Sequence, residues 1–215
     1  AVPTNKSDVL REVDVIEEIV RIYGLDNVPL PEVMRFAHAV EAFPSKETVQ
    51  QVISDLLAGN GFREMMALSL SQSGYYKQAL PREEEELVFI NNSSNVHLDI
   101  MRPDMLISAL EAVRYNQNRQ QADLRLFEFG KIYFRKDGEL QEEQHLTLTL
   151  SGRRRPESWT QAEEGEVDFF SLKSYVELLL GRLGVRGYQV EEVRDGREYL
   201  YGLHFHRGPQ SLVTF

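Results

Sequence analysis

Four carboxylates near the start of the chain have the type and spacing of a cation site. Asp14, Glu17 and Glu18 sit at i, i+3 and i+4, so on a helix they share a face, and Asp8 precedes that helix closely enough to fold back. Like charges gathered in this way repel one another, and a hard cation with oxygen ligands relieves the repulsion. Arg11 and Arg21 stand beside the same cluster. From the residues alone it reads as a solvated acidic face that these two arginines partly neutralise.

A second group lies between Val96 and Phe134, where Arg102, Asn118, Arg119, Arg125 and Glu128 accompany apolar residues of helix and strand type. Such groups serve catalysis, or they bridge a helix to a sheet and solvate the loops. The pattern favours the structural role, since charged side chains are seldom fully buried unless paired. His204 and His206 alternate, so on a strand they share a face. With no cysteine and few other ligands beside them, they read as a surface pair rather than a metal site. Arg153, Arg154 and Arg155 with Pro156 form a basic loop. The glutamates that follow, Glu157, Glu163, Glu164 and Glu166, favour a solvent-facing turn over phosphate binding. No GxGxxG, P-loop or GxSxG occurs.

The elements that must position these residues are legible from periodicity and breakers. After an extended start, a helix begins near Arg11 with Val15, Ile16, Ile19, Val20, Ile22 and Tyr23 on its apolar side and Gly24 as its cap. Pro29 to Pro44 reads as a linker. Ser45 is a good N-cap for a second helix with Glu47 in its first turn, whose buried stripe is Val49, Val52, Ile53, Leu56 and Leu57, ended by Gly59-Asn60-Gly61. A strand is expected over Met65 to Leu70, an acidic loop over Glu83 to Glu86, and a strand over Leu87 to Ile90. Pro103 suits the first turn of a third helix, with Asp104 complementing its dipole and Leu106, Leu110 and Val113 facing a core. From Asp123 a strand runs to the turn Arg135-Lys136-Asp137-Gly138. His145 to Leu150 alternates and places Leu146, Leu148 and Leu150 on one face, and Asp168 caps a helix over Phe170 to Leu183. Two further strands are expected around Asp195-Gly196, the second broken at Gly208-Pro209.

Composition bounds the function. The 215 residues are enough for a sizeable core, in one large or two unequal domains. The absence of cysteine excludes disulfides, thiolate metal sites and cysteine nucleophiles. A formal charge of −10 makes a poor nucleic-acid binder unless basic residues cluster locally. No run approaches the roughly 20 apolar residues of a membrane span and nothing resembles a signal peptide, so a cytoplasmic protein is the simplest reading. The chain begins with Ala and ends on the apolar run Ser211 to Phe215, which reads as an excised piece of a longer protein.

Several of these segments together resemble the beta subunit of bacterial phenylalanine–tRNA ligase. The start carries the pattern D-x5-D-x2-E-E as Asp8, Asp14, Glu17 and Glu18, followed by Arg21-Ile22-Tyr23-Gly24-Leu25-Asp26-Asn27-Val28-Pro29. The central stretch is similar to the family at Met101-Arg102, Leu106, Asn116 to Arg119 and Leu126-Phe127-Glu128-Phe129-Gly130-Lys131. Trp159 and Val167-Asp168-Phe169-Phe170-Ser171-Leu172-Lys173 match a later motif. Departures occur at Asn91-Asn92-Ser93-Ser94, at Leu106-Ile107-Ser108 and at His206-Arg207-Gly208.

The resemblance implies an α+β fold of the class II aminoacyl-tRNA synthetase type, an antiparallel sheet flanked by helices, in a form that has lost its chemistry. By the same resemblance residues 1–30 are the end of a winged-helix-like module, 31–44 a linker and 45–215 the catalytic-like domain. It implies a magnesium site on Asp8, Asp14, Glu17 and Glu18 at the contact with an alpha subunit. It also implies an α2β2 heterotetramer, ATP used in the alpha subunit and tRNA-Phe bound by the full complex. The helix from Ser45 to Gly59 and the strand after it correspond to the dimerisation region of such folds, with Met65 and Met66 as contacts. Loss of chemistry has a residue behind it. Active members place an ATP-clamping arginine on the strand after the Gly130-Lys131-Ile132-Tyr133 segment, and here Phe134 follows. Arg135 comes one residue later and would point to the opposite face. A stand-alone interaction protein on a degenerate synthetase fold is the alternative reading, and Phe134 disfavours an active ATP-dependent ligase.

Overall fold

The computed structural model describes residues 3–33, 35–37, 43–80, 82–92, 95–154, 165–194 and 199–215, which divide into two compact units, Ala1–Phe43 and Pro44–Phe215. In the first, helix α1 spans Glu12–Tyr23. The Asp14 carboxylate starts it by accepting the backbone N–H groups of Leu10 and Arg11 at 3.0 and 2.7 Å, two donors at the helix start. Gly24, at φ 95°, ends it by returning its N–H to the Val20 carbonyl. A 3-10 turn over Leu25–Asn27 follows, and Asn27 reaches back to the Tyr23 carbonyl.

In the second unit, α2 (Lys46–Gly59) starts where Ser45 Oγ accepts the Thr48 N–H, as expected of that cap. It leads into the short strand β1 (Arg63–Glu64), which pairs in parallel with β5 (Leu124–Lys136). The strand β5 pairs antiparallel along its whole length with β6 (Glu139–Ser151), and positive φ at Asp137 (54°) and Gly138 (83°) gives the tight hairpin its twist. Leu146, Leu148 and Leu150 do share a face, and pack with Phe127 and Phe129 against Ile53 and Leu57 of α2 and Leu179 of α5 (Phe169–Arg182).

A second small sheet has β4 (Ile100–Met101) between β2 (Leu70–Ser71) and β3 (Val88–Phe89). Its core gathers Tyr76 from α3 (Ser73–Gln78) with Leu80, Leu87, Ile100 and Ile107. The third sheet is β7 (Gln189–Val193), β8 (Gly202–Arg207) and β9 (Gln210–Thr214), antiparallel throughout, and Phe205 and Phe215 pack on Val176 and Leu180 of α5.

Three expectations are corrected by this arrangement. Of the strand expected over Met65 to Leu70 only Leu70 is in a strand, and residues 65–69 are an irregular link between β1 and β2. The Met65 N–H is drawn to the Phe127 carbonyl and the Ala67 N–H to the Glu128 carboxylate. The third helix, α4, spans Leu106–Gln117, so Pro103 lies outside it, and Asp104 serves by accepting the Leu106 N–H from just before the first turn. Its buried residues are Ile107 and Ala109, while Leu110 is exposed. The expected α+β fold with antiparallel sheet and flanking helices is present, the sheet being divided into three three-stranded pieces of which one includes a parallel pair. Asp195-Gly196 lies outside the described residues.

One capping contact gives a direct test. Asp168 Oδ1 accepts the Ser171 N–H at 2.8 Å and the Ser171 hydroxyl at 2.6 Å, and these bonds, led by the hydroxyl, hold its carboxyl below the usual carboxylate range. A carboxyl lowered on folding adds stability that is fully present above the ordinary carboxylate range and is lost as pH falls through the folded value. Asp168→Asn, which keeps a capping oxygen, is expected to flatten the acid limb of the melting-temperature profile, whereas Asp168→Ala lowers the melting temperature at neutral pH as well.

Candidate functional site

Of the four cluster carboxylates, all on or before α1, Asp14 is committed to the backbone at the helix start. Glu18 forms an ion pair with Arg21 at 3.1 Å, and Asp8 and Glu17 are exposed. Among the described residues no three metal-ligating side chains converge as they stand. The donor set consists of carboxylate oxygens alone, which is the chemistry of a hard divalent cation.

The five polar candidates of the central stretch separate sharply. Arg102 and Glu128 form a buried ion pair: Nη1 and Oε1 are 2.9 Å apart, and the side chains are 3% and 2% exposed. The Arg102 Nε–H also donates to the Lys131 carbonyl at 2.9 Å, its own carbonyl accepts the Tyr133 N–H, and Glu128 Oε1 accepts the Ala67 N–H. This pair therefore ties the segment leading into α4 to the middle of β5 and to the strand-free run after β1. Gly130 is needed there, since a Cβ would stand 2.0 Å from Arg102 Nη2 and 2.6 Å from Met105 Cε.

The other three candidates serve local structure. Asn118 is the C-cap of α4, and Arg119 stacks on the Tyr115 ring with Cζ 3.4 Å from the centroid. Arg125 spans two carbonyls, those of Asn60 and Arg154. In the basic loop, Arg153 pairs with Asp123 at 2.9 Å and Arg154 with Asp168 at 2.9 Å, while Arg155 and Trp159 lie outside the described residues. The Arg153 backbone N–H, and then its guanidinium, hold the Asp123 carboxyl below its usual range.

Strand alternation places Phe134 on the face that carries Glu128, Gly130 and Ile132, and Arg135, exposed, on the other. That first face is where Arg102 and Met105 press on Gly130. Met65 is half-buried, whereas Met66 is 96% exposed, with Leu68 and Phe89 exposed as well.

Two features were not legible beforehand. One is the cluster in which Asp104 accepts the hydroxyl of fully buried Tyr76 and pairs with Arg82 at 3.3 Å; burial, then the Asp104 charge, pushes the Tyr76 hydroxyl above the usual phenol range. The other is the approach of Glu191 to His206 across β7 and β8. Each joins residues distant in sequence, for which a periodic pattern carries no signal.

Comparison with known proteins agrees with this geometry. Residues 30–204 match the family described as phenylalanyl tRNA synthetase beta chain CLM domain. Phenylalanine–tRNA ligase beta subunits of Bacteroides thetaiotaomicron and Thermotoga maritima are 35% and 34% identical over 86% of this chain, covering 24% and 23% of those proteins. The chain thus spans about a quarter of the length of the curated relatives it matches. Among solved structures, a pyrrolysyl tRNA synthetase of Desulfitobacterium hafniense superposes with a TM-score of 0.59 at 14% identity, over 80% of this chain and 56% of that one. An ATP phosphoribosyltransferase regulatory subunit/histidyl-tRNA synthetase of Bacillus halodurans C gives 0.52 at 15% identity, over 76% and 41%. Those likenesses establish an α+β, class II synthetase-like fold. The match over residues 30–204 establishes the rest: the chain belongs to the phenylalanyl tRNA synthetase beta chain CLM-domain family.

Proposed function

We propose that this chain is a non-catalytic portion of the beta subunit of phenylalanine–tRNA ligase, the enzyme that joins L-phenylalanine to tRNA-Phe using ATP. Catalysis belongs to the alpha subunit, and this portion supplies scaffold and subunit interface in an α2β2 assembly in the cytoplasm. Residues 1–30 are the end of a winged-helix-like module, 31–44 a linker and 45–215 the catalytic-like domain. The observation that carries the reading is Phe134. Clamping a triphosphate calls for a bidentate guanidinium on that face of β5, and a phenyl ring offers no donor. The residues present do not fit ATP, and no step is assigned to them. The test is phenylalanine-dependent exchange of pyrophosphate into ATP. None is expected from the isolated chain, and exchange above background would overturn the reading.

The four carboxylates fit magnesium in donor chemistry. Asp8, Asp14, Glu17 and Glu18 would hold it at the alpha-subunit contact, where it supplies a fixed positive charge between acidic groups. Magnesium keeps several waters and demands near-octahedral oxygens, so ligands already engaged with the backbone and with Arg21 favour weak binding in the isolated chain.

The alpha-subunit interface is assigned to α2 and the segment after it. Met66 and Leu68 expose apolar area there, of the kind that marks a partner surface. Met65→Glu with Met66→Glu is expected to shift co-purified alpha subunit into the free fraction in size-exclusion chromatography. Unchanged assembly would place the interface elsewhere.

A further inference from the structure

The outer face of the third sheet brings two ligand atoms close together without a hydrogen bond between them. Phe205 of β8 is fully buried, so alternation turns its neighbours His204 and His206 to the opposite face. His206 Nδ1 lies 3.0 Å from the Gly208 carbonyl. A carbonyl only accepts, so Nδ1 carries the hydrogen and, in the neutral ring, Nε2 presents a lone pair. That Nε2 is buried and makes no hydrogen bond. It nevertheless sits 3.3 Å from Oε1 of Glu191, on the neighbouring strand β7 at the position opposite His204. A nitrogen lone pair and a carboxylate oxygen at that distance repel unless a cation lies with them. The His204 ring stacks on His206 with centroids 5.2 Å apart and an interplanar angle of 24°, and its own Nε2 is 3.0 Å from Ser211 Oγ.

We propose that His206, Glu191 and His204 form a site for a divalent transition cation of the zinc class. Two imidazole nitrogens and one carboxylate are a donor set suited to zinc, and harder cations that demand oxygen alone are excluded from it. The contact of Nδ1–H with a backbone carbonyl is the support that metal-ligating histidines take, fixing the tautomer and aiming Nε2 at the metal. As they stand, no three ligating groups among the described residues converge. Closure needs only side-chain movement: Glu191 is 68% exposed, and His204 exchanges the Ser211 hydroxyl for the metal. The site differs in kind from the acidic face of α1, which offers carboxylate oxygens alone.

The other cation able to fill the gap is a proton, and the experiment separates the two. The full-length subunit is titrated calorimetrically with zinc chloride in excess magnesium, alongside His206→Gln, His204→Gln and Glu191→Gln, each checked for folding by circular dichroism. The expected result is one zinc per chain that magnesium does not displace. Each substitution should weaken it by about tenfold or more, and cobalt substitution should give a tetrahedral ligand-field spectrum that the His206→Gln chain lacks. Zinc binding insensitive to all three substitutions would overturn the proposal. So would no zinc binding alongside protonation of His206 in imidazole-resolved NMR, which makes the pair a proton-bridged strand contact only.

Discussion

Replacing Arg102 with alanine is expected to destabilise the Pro44–Phe215 unit by about 3–5 kcal/mol, a large share of the roughly 5–15 kcal/mol that holds a typical domain. The reason is what the substitution leaves behind. Glu128 is 2% exposed, and with Arg102 gone its charge has no counterion in a place water does not reach. The Lys131 carbonyl loses the Arg102 Nε–H as well. Replacing both partners, as Arg102→Met with Glu128→Leu, removes the stranded charge. The Lys131 carbonyl and the Ala67 N–H then lose their partners, at about 1–3 kcal/mol each if they are shut off from water. The double variant should therefore be less stable than the parent and yet no less stable than Arg102→Ala. Because the pair is buried, the Arg102→Ala loss should persist at high salt, where an exposed pair would be screened. Urea denaturation of the parent, Arg102→Ala, the single variants Arg102→Met and Glu128→Leu, and the double variant measures this. A double variant whose loss equals the sum of the two single losses would show that the charges do not interact.

That pair also marks the limit of what the sequence carries. Short-range physics was readable: Ser45 and Asp168 cap their helices by contacts three residues long, and Asp137-Gly138 turns β5 into β6. The period-2 pattern of Leu146, Leu148 and Leu150 predicted their common face. Arg102 and Glu128 were each visible as candidates, but neither has a local signal that names the other, 26 residues away. The same holds for His206 and Glu191, which meet only because β7 and β8 pair in one register. Where the reading failed locally, a distant contact had intervened. The run from Met65 to Leu70 has the composition of a strand, but only its ends are paired: the Met65 N–H closes the β1–β5 ladder on the Phe127 carbonyl and Leu70 pairs in β2, while between them the Ala67 N–H is taken by the Glu128 carboxylate. Leu110 has the right spacing for a core stripe, while the core side of α4 is set by Ile107 and Ala109 against other elements.

On the function proposed above, magnesium is expected to be held firmly in the alpha–beta complex and only loosely by this chain alone. On α1 the cluster carboxylates have other work: Asp14 holds the Leu10 and Arg11 N–H groups, and Glu18 pairs with Arg21. A cation arriving there must compete with these contacts and gather Asp8 and Glu17 from solvent. The competition is uneven. The exposed Glu18–Arg21 pair is worth about 0–1 kcal/mol and yields readily, whereas Asp14 satisfies two helix-start donors that would otherwise turn to water. Ordering four repelling carboxylates is the larger obstacle, and a partner surface that excludes water and fixes α1 removes much of it. Equilibrium dialysis of the isolated chain and of the complex, each with Asp14→Asn and Glu18→Gln controls, reads the difference. Both substitutions should lower magnesium retained by the complex. Asp14→Asn should also lower the helix content of the isolated chain slightly, because an amide oxygen caps less well than a carboxylate beside the helix dipole. Equal binding in both species, insensitive to either substitution, would make the four carboxylates a solvated acidic surface and nothing more.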